Sequence, residues 1–234
     1  MLSPSRWTAT RLLGGKLMRF TRLHLTFAVL VCSLFLASSA FAGTVKLTYI
    51  QSTGSGIGGG GVYPSAFYIN NSTTKTYLLC DSYDNTIQKG ETWQATVSPF
   101  LQGIAGSLFG PGMTLDYKAA GLIFKGMLAG TISNTDGQWA IWGLFSSTAQ
   151  GMPQFASTGA AGIEATYLAL AQNAPNSAFN GLLLYTPVGG TQSWGGIPQE
   201  FIGYSAVPEP SSLMLMGTGL VGLAGAIRRK FAKA

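Results

Sequence analysis

The sequence predicts an α+β domain that is mainly β, a β-sandwich or barrel with a small helical subdomain, flanked by an N-terminal signal peptide and a C-terminal hydrophobic helix. Three observations lead there. Six short segments alternate apolar and polar residues as half-buried strands do, three central segments carry alanine and apolar residues at helical spacing, and each end of the chain sets an apolar run beside basic residues.

At the N-terminus, Arg19 and Arg22 precede an apolar stretch from Leu23 to Leu36, and Ala40-Phe41-Ala42 supplies the small-x-small pattern that signal peptidase cuts. Residues 1–42 therefore read as a Sec-type signal peptide with Gly43 as the first mature residue. Residues 1–17 carry Arg6, Arg11 and Lys16 without structural pattern, which points to Met18 as the true start. Cys32 is an apolar member of the leader, because the bulky Val31 before it spoils a lipobox.

Residues 43–206 form one domain, long enough for one core and undivided by any linker or repeat. Thr44 to Gln51 alternates with Val45, Leu47 and Tyr49 on one face and reads as the first strand. Val62 to Ile69, Thr76 to Cys80 and Thr92 to Val97 follow as strands, and Leu182 to Tyr185 and Glu200 to Tyr204 close the series. Between them, Tyr117 to Leu128, Gln138 to Phe145 and Gly162 to Ala171 read as short helices. The Gly-x-Gly-x-x-Gly at Gly54, Gly56 and Gly59 is followed by Val62-Tyr63-Pro64 where a phosphate-binding helix would have to begin. It reads as a hairpin loop instead.

Residues 207–234 are a separate piece. Pro208-Glu209-Pro210 precedes an apolar run from Leu213 to Ile227, which as a helix spans about 22 Å against a hydrocarbon core of about 30 Å. Arg228-Arg229-Lys230 then holds the distal end in the cytoplasm by the positive-inside rule. This combination of Pro-Glu-Pro, short apolar helix and terminal basic cluster resembles a PEP-CTERM sorting signal. The resemblance implies a protein of a Gram-negative bacterium that crosses the inner membrane and is held there transiently by its C-terminal helix. An exosortase-like enzyme then cuts it near Pro208, Glu209 and Pro210, and it reaches a cell surface or extracellular matrix associated with exopolysaccharide. An uncut membrane anchor is the plain alternative.

Removing both ends changes what the composition means. The formal charge of the whole chain is +6, but nine basic residues lie in the leader and tail, leaving Lys46, Lys75, Lys89, Lys118 and Lys125 against seven acids. The domain is mildly acidic, and the electrostatic case for nucleic acid goes with the basic ends. The single histidine, His24, is in the leader, so histidine-dependent triads, zinc sites and imidazole acid–base catalysis are excluded. With no acid cluster beyond Asp81 and Asp84, a glycosidase is disfavoured too. No enzyme activity, cofactor or metal is expected. The expected partners are signal peptidase, the exosortase-like enzyme, and extracellular polysaccharide or surface proteins, for which Trp93, Trp139, Trp142 and Trp194 offer stacking faces.

One cysteine remains after processing. Cys80 has no internal disulfide partner, and an unpaired thiol in an oxidising compartment is a liability unless it is buried or used. It lies in Tyr77-Leu78-Leu79-Cys80-Asp81-Ser82-Tyr83, and Asp136-Gly137-Gln138-Trp139-Ala140-Ile141-Trp142 follows later, with Asp136 placed to cap a helix starting near Gln138. These two segments resemble the thioester domains of bacterial surface adhesins, a resemblance implying that Cys80 and Gln138 join side chain to side chain. Aromatics such as Tyr83, Trp93, Trp139 and Trp142 would then keep water from the bond. A buried inert thiol and an intermolecular disulfide stand as the other readings of Cys80.

Overall fold

The computed structural model describes residues 43–54, 61–189 and 196–205, together with 217–219 and 222 near the C-terminus. The expected leader, residues 1–42 with Ala40 and Ala42, the tail residues Pro208, Glu209, Pro210, Arg228, Arg229 and Lys230, and Trp194 lie outside the described residues. Ala40–Val207 forms one compact unit.

Of sandwich and barrel, the strands choose the barrel. They are β1 Gly43–Gly54, β2 Val62–Ile69, β3 Lys75–Cys80, β4 Thr92–Pro99, β5 Leu182–Pro187 and β6 Phe201–Tyr204, closed in the order β1-β2-β3-β6-β5-β4 with every pairing antiparallel. Alternation sorts the side chains. Leu47, Phe67, Leu78, Cys80, Trp93, Ala95, Tyr185 and Phe201 pack together as one apolar cluster, while Leu79, Leu182, Leu184 and Ile202, one residue out of phase, join a second cluster with the helices. A six-stranded barrel is narrow enough for such side chains to fill it.

The hairpin reading of the glycine run holds, since Gly54 pairs with Val62 across it. Register shifts between Tyr49 and Gln51 and between Ser52 and Gly54 are β-bulges, which curve the strand and re-aim its side chains. Here Tyr49 Oη, Ser52 Oγ and Ser65 Oγ form a hydrogen-bonded row with 2.9 Å steps. Asn70 and Asn71, both with positive φ, open the β2–β3 connection, a backbone conformation that asparagine tolerates better than most residues.

The chain between β4 and β5 is helical. Its long members are α1 Thr114–Leu128, α2 Asn134–Phe145 and α3 Ala160–Asn173, with α3 packed on both α1 and α2. Each begins before the predicted residue. Asp136 does not cap α2: the cap is Ser133, whose hydroxyl accepts from the Asp136 N–H at 3.0 Å. Asp136 instead sits in the first turn, where its charge suits the helix dipole. Gly137 allows α1 and α2 to approach, since a Cβ there would meet the Met127 sulfur at 2.5 Å. The second apolar cluster, built on Phe100, Tyr117, Ile123, Phe124, Trp139 and Ile141, presses these helices onto the barrel wall, and each such side chain contributes roughly 1.5–3 kcal/mol. Among the described residues no helix is long and apolar enough to cross a membrane, and no group of three or more His, Cys, Asp or Glu could hold a metal ion.

Candidate functional site

Cys80 ends β3 and Gln138 lies in the second turn of α2, and the fold brings the two segments together. The Gln138 side chain is fully buried, and both of its polar atoms are satisfied. Its Nε2 donates to the Cys80 carbonyl at 2.6 Å, and its Oε1 accepts from the Tyr63 N–H at 3.1 Å. An unpaired buried amide would cost about 1–3 kcal/mol, so this pairing fixes the side chain in one place. The contact spans 58 residues of sequence.

The thiol is buried with 3% exposure and is not in a disulfide. Its Sγ donates to the Ser82 carbonyl at 3.4 Å and lies 4.0 Å from Ser82 Oγ. Burial pushes its pKa up to about 12, with the neighbouring Asp81 carboxyl adding to the rise. The nearby Trp142 indole and the Ser82 groups act in the opposite direction, although Trp142 Nε1 completes no hydrogen bond. The sulfur therefore rests as a thiol, protected from casual oxidation.

A cavity of about 180 Å³ opens beside Cys80, with Tyr49, Ser65, Tyr83, Asn85, Trp142 and Gln199 among its walls. Tyr83, Trp139 and Trp142 form a triangle of rings with centroids 5.1–5.6 Å apart. Trp93 is not part of it and packs edge-on against Phe67 in the barrel cluster. Trp93, Trp139 and Trp142 are all buried, so none offers a free face for stacking on a sugar.

Several residues with no assigned role prove central. Gln199, just before β6, donates through Nε2 to the carbonyls of Ser82 and Asn85 and so pins the loop that follows Cys80. Glu200 is fully buried, accepting from Leu108 N–H at 3.0 Å, from Thr186 Oγ1 at 2.5 Å and from the Tyr117 hydroxyl. Asp81 is also fully buried. Burial and the Glu200 carboxyl beside it raise its pKa well above the usual carboxylate range. Asp81 and Asp84 are no acid pair: Asp84 is exposed, whereas Asp81 is fully buried and its backbone N–H bonds the Glu200 carbonyl at 3.3 Å. The available signal was Glu200 itself, a lone acid at the head of an apolar strand.

Residues 206–230 match the PEP-CTERM protein-sorting motif. That motif implies an exported, membrane-transiting protein processed by an exosortase. Among solved structures, the N-terminal thioester domain of a surface protein from Clostridium perfringens is weakly similar. Its TM-score is 0.40 at 14% identity, over 70% of this chain and 100% of that one. A likeness this distant says nothing by itself about the chemistry of Cys80. No curated protein matches the chain.

Proposed function

We propose that the domain is a surface or matrix protein of a Gram-negative bacterium, delivered by its sorting motif into an exopolysaccharide-rich layer, where it attaches covalently through a thioester between Cys80 and Gln138. One observation carries this reading. A fully buried glutamine from α2 is clamped between the Tyr63 N–H and the carbonyl of the cysteine that would attack it.

The chemistry is an acyl transfer. The Cys80 sulfur adds to the Gln138 side-chain carbonyl carbon, a C–S bond forms, the C–N bond breaks, and the thiol proton departs with the nitrogen as ammonia. Negative charge gathers on Oε1 during the addition, and the Tyr63 N–H at 3.1 Å is the donor placed to receive it. The aromatic triangle limits water. A target amine or hydroxyl entering by the cavity would attack the acyl carbon, break the C–S bond and restore the Cys80 thiol, leaving the target on Gln138 as an amide or ester. The protein acts once and is not an enzyme.

Intact mass tests it. The folded domain should be lighter than its sequence by about 17 Da, the mass of ammonia. Methylamine should add at Gln138, and Cys80→Ala should abolish both effects. A full-mass domain whose Cys80 alkylates freely on unfolding would end the covalent reading and leave an inert buried thiol.

A further inference from the structure

We propose that a single proton held between Asp81 and Glu200 positions Gln138 for bond formation with Cys80, so that loss of this proton switches thioester closure off; the role rests on the thioester reading.

Both carboxyls are fully buried, the antiparallel register that pairs Cys80 with Phe201 sets Asp81 opposite Glu200, and neither oxygen of Asp81 completes a hydrogen bond to another group's donor. The three donors bonded to Glu200 are a backbone N–H and two hydroxyls, none of them a cation. Two carboxylates can bond one another only when one carries a proton, and buried like charges side by side cannot both ionise at modest cost. Glu200 holds the donors and Asp81 holds none. The proton therefore belongs on Asp81, which donates it to Glu200.

The dyad reaches the reacting groups through the backbone. The carbonyl that accepts Gln138 Nε2 is that of Cys80, in the peptide that leads into Asp81. The same stretch is tied to Glu200 by the Asp81 N–H on the Glu200 carbonyl at 3.3 Å and by the Glu200 N–H on Ser82 Oγ at 3.1 Å. With the proton in place, Asp81 is drawn to Glu200 and the Cys80 carbonyl faces the amide. Without it, two buried anions repel, the Cys80–Asp81 peptide shifts, and the amide loses its clamp. The titratable groups that act on Asp81 are Glu200 before β6, Tyr117 on α1 and Cys80 on β3, with no lysine or histidine among them.

The test uses the full chain. Ammonia opens the thioester to the Cys80 thiol and the Gln138 amide, and after its removal closure is followed across pH as the loss of about 17 Da. Wild type should close faster as the thiol ionises, then lose at least about 10-fold in rate as the dyad gives up its proton. In Asp81→Asn the amide donates to Glu200 without titrating, so closure should continue to rise through that range. Asp81→Ala, which provides no donor, should close slowly at every pH. An Asp81→Asn chain that slows at the same pH as wild type would overturn the gate while leaving the thioester intact. Glu200→Gln, a neutral donor from the other side, should also lose the alkaline decline. Should neither variant fold, a wild-type rate that climbs with pH throughout overturns the gate. A wild-type chain that never loses the mass overturns the thioester and this role together.

Discussion

Around Cys80, single polar groups matter because burial leaves them no water to fall back on. The Tyr117 hydroxyl illustrates this. It accepts from the Phe109 N–H at 3.3 Å and donates to Glu200, joining α1 to the head of β6 inside the molecule. Tyr117→Phe keeps the ring and removes the link, so urea denaturation should show a loss of about 1–3 kcal/mol. Asp84→Asn, on an exposed residue, should stay within about 0.5 kcal/mol. Equal losses from the two variants would mean that the buried network contributes little. The approach of Gln138 to the Cys80 segment was legible through the residues around them, whereas the parts of Tyr63, Gln199 and Glu200 were not. Tyr63 contributes only a backbone N–H, which every residue except proline possesses, and the partners of Gln199 and Glu200 lie far away in sequence.

At the scale of elements, α2 brings Gln138 to the barrel, and its position depends on its first turn. Ser133 anchors that turn, and Ser133→Ala should cost about 1 kcal/mol in thermal or urea unfolding, with Ser133→Gly costing only a few tenths. If alanine and glycine were equally costly, the hydroxyl would not be acting as the cap. All six strands and all three long helices were legible, because a two-residue period and a 3.6-residue period leave different marks on the sequence. Their ends were less so. The start of α2 was missed because Asp136 and Ser133 both suit a cap, and only the backbone geometry separates them. The bulges in β1 were also hidden, since a one-residue register shift is decided by the partner strand.

For the molecule as a whole, the shifted carboxyls give stability an unusual pH dependence. Asp81, Asp116 and Glu164 all have pKa values raised above normal, mainly by burial. A group that holds its proton more tightly when folded lends full stability below its unfolded pKa and loses that contribution as pH rises through the folded value. The urea midpoint of the Cys80→Ala domain should therefore be highest in mild acid and fall toward neutral and alkaline pH. Asp81→Asn should flatten the decline, and a midpoint that climbs from acid to neutral would contradict the assignment. The exported chain has a prediction of its own. Sequencing its C-terminus should show loss of everything beyond the Pro208-Glu209-Pro210 region, and recovery of an intact Arg228-Arg229-Lys230 end from the membrane would mean an uncut anchor.

The sequence by itself determined the address and the parts. A sorting motif is a linear pattern read by other proteins, and the strand and helix periods, the single cysteine of residues 43–206 and the absence of histidine from them are likewise local or compositional facts. Only the tertiary structure decided the barrel over the sandwich, buried Trp93, Trp139 and Trp142, and set the Gln138 amide against the Cys80 carbonyl. It also buried Asp81 beside Glu200 while leaving Asp84 exposed. The reason is physical: closure of a sheet, burial and the sharing of a proton depend on groups far apart in the chain, and those meetings exist only once the chain has folded.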